Sequence, residues 1–377
     1  MVESFQDRPY AQNHFQRIVS IARKSNPFYR RWITDPKRVP IIDRTMFLDN
    51  NEEILNGHPV TGSTSGSTGI PVRFSQSPEW TQLATADMER FVRRMGGPLR
   101  GLMIIYAGGE RGANLLDVAA PVDRQIQFIT QSHRKLGSQA VTTYPTNAEF
   151  LAREILHRNL DMAFVRRFGM YGEAVERYQL DLVRKAFPNA QVWTSYSSME
   201  FAIIASMCPY EPEFHHVRAH RLGVEVLTDD GSPAAIGERG RVVITDFFNE
   251  RSPFIRYELG DFAVRGVCPC GRIRLPALGA IYGKVRGALL HRDGRRVLFT
   301  DLSVALRDLP GMRQYQVVQN SLESFTVNVV ADRNLDPQIT AALDSHFGYM
   351  PNEISIRYVD VIPREENGKF HASICRV

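Results

Sequence analysis

The spacing of apolar residues predicts alternating helices and strands over most of the chain. Apolar residues from Phe15 to Ala22 recur at helical spacing, and this helix is expected to end before Pro27. A second helix is expected over about 79–95. Between residues 100 and 250 amphipathic stretches (DRQIQFITQSHRKL, NAEFLAREILHR, RYQLDLVRKAF) alternate with strand-like runs (GLMIIYAGG, AVTTY, MAFVRRFGMYG, QVWTSYS). This alternation favours an α/β domain with a largely parallel sheet.

The pattern changes twice in the second half of the chain. GVEVLTDDGSPAAIGERGRVVITD, residues 223–246, predicts short strands joined by turns. After Gly283, the runs YQVVQ, FTVNVVA and ISIRYVDVI predict strands, and DPQITAALDSHFG predicts a helix with Asp336 as its N-cap. We therefore expect a small α+β domain at the C-terminal end, with its boundary near Gly283–Gly287.

Composition narrows the class of protein without identifying it. The chain has 377 residues, 43% hydrophobic and 23% charged, which favours two or three globular domains. The formal net charge of +5 comes from scattered Lys and Arg, so we expect no nucleic-acid partner. No apolar run has the length of a bilayer span, so we expect no membrane partner. The N-terminus lacks the pattern of a signal peptide, so a cytoplasmic location is expected.

The segment TGSTSGSTGIP, residues 61–71, consists almost entirely of Gly, Ser and Thr. One interpretation is a flexible linker, because Gly/Ser runs behave as random coil. The other is a loop that wraps phosphate groups with backbone N–H groups and hydroxyls. Neither GxxxxGK[ST] nor GxGxxG is present; the pattern is T-S-G-S-T-G-x-P from Thr64 to Pro71. Both interpretations stay open on this segment alone.

Three further segments carry candidate chemistry. YSSME places Tyr196 and Glu200 at the end of a predicted strand, where a ring could stack on a base and a carboxylate could bind Mg²⁺. In SPFIRYELGD, Asp261 follows a glycine at an expected turn and could accept hydrogen bonds from ribose. Lys369 near the C-terminus could neutralise phosphate charge. Each residue alone is equally typical of a strand end, a turn or a solvated surface.

Taken in this order and at these spacings, the four segments resemble the adenylate-forming superfamily of acyl-CoA synthetases, luciferases and peptide-synthetase adenylation domains. The resemblance is greatest to the phenylacetate-CoA ligase branch and covers nearly the whole chain. It extends through NPFYRRW, RVPIIDRTMF, DRQIQF, TTYPTNAEFLAREI, RFGMYGEAVE and CGRIRLPALGAIYGK. The resemblance favours the phosphate loop over the linker.

The resemblance implies an α/β fold with sheet layers and a β-rich subdomain in an N-terminal adenylation domain, residues 1–283. A small mobile α+β domain, residues 284–377, follows it. The implied catalytic residues are Lys369, Glu200 and Thr64. The implied nucleotide-binding residues are Thr64, Ser65, Gly66, Ser67, Thr68, Gly69, Gly172, Glu173, Tyr196, Ser197, Asp261 and Lys284. The acyl pocket is expected to be lined by Tyr106, Ala107, Gly108, Tyr144 and Pro145.

These residues have separate implied roles. The loop would hold the β- and γ-phosphates of ATP, Glu200 would bind Mg²⁺, and Tyr196 would stack on adenine. Asp261 would take the ribose hydroxyls, and Lys369 would bridge the α-phosphate and the carboxylate. A carboxylic acid, aromatic because tyrosines and small residues suit a flat ring, would be converted to acyl-AMP and pyrophosphate and then transferred to CoA or another acceptor.

The cysteines suggest a metal site. Cys208 and His215 are spaced C-x6-H, and Cys268 and Cys270 form C-x-C. Three thiolates and an imidazole suit tetrahedral Zn²⁺, and some members of the branch carry a structural zinc with this arrangement. The zinc subdomain is expected over about 200–275, with His216 as an alternative ligand to His215. The other interpretation is a buried Cys208 and an ordinary CPCG turn.

Several departures from the family pattern keep the acceptor open. Ile70 stands where a lysine is common, Glu258 replaces an arginine, and the hinge reads GKVRG with Lys284 and Gly287. The first hypothesis is an aryl-CoA ligase. The second is an enzyme of antibiotic biosynthesis, of the phenazine-pathway type, that passes its acyl-adenylate to a carrier protein, an amine or a reductase. The third is an acyl-protein synthetase that uses Cys375, and a catalytically inactive nucleotide-binding protein is the fourth. A homodimer is one option for assembly.

Overall fold

The computed structural model describes residues 9–64, 71–94, 101–107, 114–284, 288–363 and 370–377. The chain divides into two compact units, Met1–Gly283 and Lys284–Val377. The helices are α1 (Pro9–Ser25), α2 (Pro27–Trp32), α3 (Arg44–Asp49), α4 (Asn51–Leu55), α5 (Pro78–Arg94), α6 (Val122–Leu136), α7 (Pro145–His157), α8 (Arg177–Ala186), α9 (Thr300–Arg307) and α10 (Asp336–Phe347).

The strands of the first unit are β1 (Gly62–Ser63), β2 (Arg73–Phe74), β3 (Leu102–Tyr106), β4 (Leu115–Asp117), β5 (Ala140–Thr143), β6 (Arg167–Met170), β7 (Gln191–Ser198), β8 (Ala202–Met207), β9 (His215–Val217), β10 (Leu222–Leu227), β11 (Arg239–Asp246), β12 (Tyr257–Gly266) and β13 (Ala277–Lys284). Those of the second unit are β14 (Ala288–Leu290), β15 (Arg296–Leu298), β16 (Met312–Ser321), β17 (Ser324–Ala331), β18 (Glu353–Tyr358) and β19 (Ser373–Cys375).

One sheet organises the first unit. Within the described ranges it has eleven strands in the order β10-β11-β12-β13-β9-β8-β7-β6-β5-β3-β4. Strands β4, β3, β5, β6 and β7 pair in parallel, and α6, α7 and α8 connect successive members. Parallel neighbours need such crossovers, which explains the alternation in the sequence. The predicted strand MAFVRRFGMYG is shorter than expected, since β6 begins only at Arg167.

The sheet continues from β7 as antiparallel strands, and the two halves have separate cores. In the parallel half, Ile105 on β3 and Phe168 on β6 form one apolar cluster with buried residues of α6, α7 and α8, among them Leu151. The antiparallel half packs against α1 to α4; the rings of Phe47 and Phe254 stack there with centroids 4.7 Å apart. The two halves are therefore stabilised by distinct groups of apolar side chains.

The turn expected at Asp261 is instead a bulge inside β12. Register between β11 and β12 shifts between Arg241 and Val243, because β12 carries extra residues between Glu258 and Phe262. Gly260 lies at φ +83°, a conformation that a residue with Cβ rarely adopts. A bulge redirects the side chains next to it, so it sets the direction of Asp261.

The second unit is an α+β domain with its own core. Among its described residues, β18-β17-β16-β19 form a four-stranded sheet, and α9 and α10 contribute Leu302, Ile339 and Leu343 to its apolar cluster. The predicted N-cap of α10 is wrong by one position: Leu335 is the N-cap, and Asp336 is the first helical residue. The expected fold class, a large α/β unit with a β-rich part and a small α+β unit, is confirmed.

Candidate active site

The Gly/Ser/Thr segment emerges from a two-stranded hairpin. β1 pairs with β2, and the backbone N–H of Thr64 donates to the carbonyl of Val72 at 3.0 Å. A Cβ on Gly62 would meet the ring of Phe74 at 2.4 Å, so this glycine is required by packing. Ser65, Gly66, Ser67, Thr68, Gly69 and Ile70 lie outside the described residues. The hairpin fixes both ends of the predicted phosphate loop.

Thr64 is buried, and an arginine that the sequence analysis did not select contacts it. The Thr64 Oγ1 atom accepts hydrogen bonds from Nη1 of Arg44 at 3.1 Å and from the backbone N–H of Val72 at 3.1 Å. Arg44 also lies close enough to Tyr257, the first residue of β12, for its charge to lower the pKa of that tyrosine against the rise from burial. Arg44 therefore joins the loop hairpin to the strand that carries Asp261.

Tyr196 and Asp261 lie together. The Tyr196 hydroxyl donates to Oδ2 of Asp261 at 2.6 Å, and both side chains are buried. Burial raises the pKa of Tyr196 well above its ordinary value, and the charges of Asp261 and Glu200 add to the rise. The tyrosine stays protonated and remains a donor to the carboxylate. Ser197 follows Tyr196 in β7, where pairing with β8 is irregular.

Glu200 lies in the turn between β7 and β8 and is only 3% exposed. Its backbone carbonyl and that of Met199 accept from Nε2 of Gln76 at 3.5 and 3.4 Å, so the turn is tied to the segment after β2. Burial raises the pKa of Tyr257, and the negative charge of Glu200 raises it further. Glu200 is thus a buried carboxylate beside both tyrosines, with the hard oxygen ligand that Mg²⁺ prefers.

The Gly172–Glu173 segment follows β6 at the carboxyl edge of the parallel strands. Gly172 has φ +90°, and a Cβ there would come within 3.1 Å of the Tyr144 ring. Oε2 of Glu173 accepts from the backbone N–H of Thr146 at 3.0 Å and from its hydroxyl at 2.8 Å. Glu173 therefore stabilises the N-terminal turn of α7, a favourable position for a negative charge.

Three tyrosines cluster at the ends of β3, β5 and β6. The ring of Tyr106 lies 4.1 Å from that of Tyr144 and 4.5 Å from that of Tyr171. The Tyr106 hydroxyl donates to the carbonyl of Tyr171 at 2.8 Å. Ala107 follows β3, Pro145 begins α7, and Gly108 lies outside the described residues. The structure thus joins two of the predicted pocket residues to a third tyrosine that was not predicted.

The cysteines converge as a candidate metal centre, with His216 as the fourth member. Ligand atoms of Cys208, His216, Cys268 and Cys270 all lie within 4.8 Å of one another. Nε2 of His215 instead lies 2.7 Å from Oγ1 of Thr194. Neighbouring residues of a strand point to opposite faces, so only one of the two histidines in β9 can face the thiols. The expectation of His215 is therefore corrected to the alternative, His216.

The donor set of this cluster fits a soft divalent cation. Three sulfur atoms and one imidazole nitrogen match a tetrahedral Zn²⁺ site. Burial raises the pKa of Cys268 to about 12, so a bound cation would be needed to hold that sulfur as a thiolate. The cluster ties the end of β8 and strand β9 to the connection between β12 and β13.

The remaining predicted residues lie in or next to the second unit. Lys369 and Gly287 lie outside the described residues, and Lys284 is the last residue of β13. Sγ of Cys375 in β19 lies 3.4 Å from Oε1 of Gln319 on the neighbouring strand β16. In the part of the chain described, no helix is long and apolar enough to cross a membrane.

Arg44 and Tyr171 are the neighbours that sequence reasoning missed. Arg44 follows the helix-capping Asp43 in RVPIIDRTMF, a segment selected only for its resemblance. Arg44 and the hydroxyl-rich loop are close only in the folded chain, so no local sequence pattern indicates that they meet. Tyr171 stands directly before Gly172, so the strand-end position was a signal that could have selected it.

Comparisons with known proteins agree with this architecture. The chain has the fold of adenylate-forming ligases. A crystal structure of 2-hydroxyisobutyryl-CoA ligase with 2-HIB-AMP in the postadenylation state is similar at a TM-score of 0.75 and 17% identity. That match covers 97% of this chain and 88% of the other.

Two other solved structures are similar over less of their length. The amide bond synthetase McbA from Marinactinospora thermotolerans gives a TM-score of 0.58 at 18% identity, over 80% of this chain and 66% of that one. A structure from a study of fatty acyl-adenylate ligases from E. coli and L. pneumophila gives 0.58 at 14% identity, over 81% and 67%. Residues 289–375 match the family model of the CapK C-terminal domain. A search of curated proteins finds no match.

Proposed function

We propose that the protein activates a carboxylic acid by ATP-dependent adenylation. The observation that carries the proposal is the connection of four predicted site residues from separate segments. Tyr196 bonds Asp261, the charge of Glu200 acts on Tyr196 and Tyr257, and Tyr257 is linked through Arg44 to Thr64. Segments distant in sequence thus bring together the hydroxyl, carboxylate and aromatic groups that a nucleotide needs.

The chemistry follows from these groups. A carboxylate oxygen attacks the α-phosphorus of ATP, the bond between that phosphorus and the bridging oxygen breaks, and pyrophosphate leaves. Thr64 and the loop after it hold the β- and γ-phosphates, and Asp261 accepts from the ribose hydroxyls. Tyr196, with Gly172 and Glu173, contacts adenine. Glu200 holds Mg²⁺, which offsets phosphate charge, and Lys369 provides a cation at the α-phosphate.

The acid is proposed to be aromatic. The support is the tyrosine cluster, in which the rings of Tyr106, Tyr144 and Tyr171 pack together at neighbouring strand ends. Aromatic rings pack favourably against such surfaces in offset or edge-to-face arrangements. A structural Zn²⁺ at Cys208, His216, Cys268 and Cys270 completes the proposed cofactor set; it has no role in the reaction.

The proposed acceptor is the thiol of CoA, as in the phenylacetate-CoA ligase branch. The 2-hydroxyisobutyryl-CoA ligase structures, two of them with CoA, support this choice. McbA, an amide bond synthetase of the same fold, supports the amine among the acceptors of the second candidate, whose other acceptors are a carrier protein and a reductase. The contact of Cys375 with Gln319, which is fully buried, favours a structural thiol over an acyl carrier.

The decisive experiment is exchange of labelled pyrophosphate into ATP, driven by a panel of aromatic and aliphatic acids. Exchange that depends on an aromatic acid supports the proposal, and product formation that further depends on CoA identifies the acceptor. Lys369→Ala should lower exchange about 100-fold or more, because the transition-state cation is lost. A protein that binds ATP but exchanges with no acid would be a nucleotide sensor, which contradicts the proposal.

A further inference from the structure

The hydroxyl of Thr64 is held so that only its proton is available to a ligand. A threonine hydroxyl has one donor hydrogen and two acceptor lone pairs. Arg44 and the backbone N–H of Val72 both donate to Oγ1 of Thr64, each at 3.1 Å. With both acceptor positions filled, the O–H can serve only as a donor. Thr64 is the described residue from which the loop begins, and it is 4% exposed.

The arginine that makes this contact is itself fixed by helix α3. The Asp43 carboxylate caps the helix by accepting from the backbone N–H of Met46 at 2.8 Å. Phe47 of the same helix packs edge-on against Tyr257, with centroids 5.4 Å apart. The charge of Arg44 acts on that tyrosine as well. Its guanidinium is therefore held between the hairpin and β12.

The charge of Arg44 matters because the loop has none of its own. Residues 61–71 contain no Lys or Arg, although a nucleotide polyphosphate is strongly anionic. A cation that donates to a hydroxyl oxygen polarises the hydroxyl and strengthens the hydrogen bond that its proton makes. The other arginine near the hairpin, Arg73 on β2, is 46% exposed and paired with Glu52.

We propose that Arg44 is a positioning residue for the nucleotide polyphosphate. Arg44 keeps the Thr64 hydroxyl oriented and polarised as a hydrogen-bond donor to a terminal phosphate oxygen. Its guanidinium also places a positive charge at the start of a loop that contains no Lys or Arg. This inference rests on the proposed function, since it deepens the role of the same site. Its ligand class is a nucleoside triphosphate rather than a monophosphate.

The first test compares Arg44→Gln with Arg73→Gln, the same substitution at an arginine that lies on the hairpin itself and is paired with Glu52. Dissociation constants for ATP and AMP are measured by calorimetry on the full chain. Arg44→Gln should weaken ATP binding about 10- to 100-fold, the usual effect of a hydrogen bond to a charged group, and leave AMP within about twofold. Arg73→Gln should change neither constant, and Arg44→Lys, which keeps the charge, should recover part of the ATP affinity.

The second test asks whether Arg44 acts through Thr64. In a double-mutant cycle, Arg44→Gln should add less than about threefold to the ATP defect of Thr64→Val, because the hydroxyl is already absent. Losses that multiply, or an Arg44→Gln variant that weakens AMP as much as ATP, would overturn the proposal. Thermal denaturation of each variant monitors folding, and should Arg44→Gln unfold, Arg44→Lys against Arg73→Lys repeats the comparison.

The two levels of the proposal fail differently. A wild-type protein that binds no ATP removes the proposed function together with this inference. A wild-type protein that exchanges pyrophosphate normally, with an Arg44→Gln variant of unchanged ATP affinity, removes this inference alone.

Discussion

The hydrogen bond from Tyr196 to Asp261 predicts a defined loss on removal of one oxygen atom. Tyr196→Phe keeps the ring but leaves the buried Oδ2 of Asp261 without this donor. We expect the KM for ATP in pyrophosphate exchange to rise about 5- to 10-fold, equivalent to about 1–1.5 kcal/mol. Tyr210→Phe is the control, because Tyr210 is 50% exposed and lies over Arg272. An unchanged KM in Tyr196→Phe would contradict the assignment.

The buried carboxylate of Glu200 predicts a change in magnesium dependence. Glu200→Gln replaces an anionic oxygen ligand with a neutral one, which binds Mg²⁺ more weakly. The Mg²⁺ concentration for half-maximal exchange should rise about tenfold or more. Glu250→Gln, which removes a half-exposed partner of Arg17, should leave it unchanged. Equal magnesium curves for Glu200→Gln and wild type would exclude Glu200 as the ligand.

Candidate site residues that stand in a short sequence pattern could be selected from the sequence, whereas a neighbour brought to them only by the fold could not. Tyr196 and Glu200 stand four positions apart in YSSME, and in the structure Tyr196 bonds Asp261 while the charge of Glu200 acts on the same tyrosine. Arg44 was missed because its partners, Thr64 and Tyr257, are distant in the chain. Their proximity depends on tertiary packing, which no local pattern encodes.

At the level of elements, β9 predicts opposite results for two adjacent histidines. His216→Ala should lower the zinc content of purified protein from about one equivalent to well below half, because a fourth ligand is lost. His215→Ala should retain the metal, since His215 faces Thr194. Elemental analysis of reduced protein measures both. Zinc lost from His215→Ala and kept by His216→Ala would reverse the assignment.

Helix α5 is joined to the sheet by a buried ion-pair network. Arg221, 1% exposed, lies 3.3 Å from carboxylate oxygens of both Asp87 on α5 and Asp246 on β11, and Trp80 donates to Asp246. Two of its further hydrogen bonds reach the carbonyls of Phe201 and Ile203, just after Glu200. The network therefore supports the turn that holds the proposed magnesium ligand.

Arg221→Met should be strongly destabilising. It removes the guanidinium that pairs with the buried Asp246 and leaves the buried Asp87 with only His220 and Arg90 as paired partners among the described residues, which costs about 3–5 kcal/mol in the free energy of unfolding. Arg177→Met, at an 80% exposed arginine paired with Glu213, should change stability by less than about 0.5 kcal/mol. Urea denaturation compares the two. Equal midpoints would show that the network adds little to stability.

Helices with a regular spacing of apolar residues were predicted well, whereas local irregularities of the strands were not. Helices α1, α6, α7 and α8 follow their apolar spacing. The bulge at Gly260 was taken for a turn, because a glycine before a polar residue has the same pattern in both. The sequence did not predict strands β8 and β9, because they lack the alternation of apolar and polar residues typical of a half-exposed strand. In β8 nearly every position is buried.

At the scale of the whole molecule, each unit has its own core, so we expect the first unit to fold without the second. A chain of residues 1–283 should fold and bind ATP within about threefold of the full chain, because its apolar clusters lie within that range. Pyrophosphate exchange should be lost, since Lys369 belongs to the other unit. Calorimetry and exchange on both chains measure this. Full exchange by the shorter chain would show that Lys369 is not needed.

The sheet, eleven-stranded within the described residues, divides into two separately packed halves, and this division has a consequence for how the proposed activity could diversify. The tyrosine cluster rests on the core that contains Tyr144 and Met170, whereas Tyr196 and Tyr257 rest on the other core. Mutations beneath the strand ends proposed to recognise the acid therefore leave the packing beneath Tyr196 and Tyr257 intact. Gly172 and Glu173, proposed to contact adenine, lie on the same half as the tyrosine cluster and do not share this independence. Under the proposed function, repacking that single half would let a lineage or a protein engineer exchange one acid for another while the buried pair of Tyr196 and Asp261 is inherited unchanged.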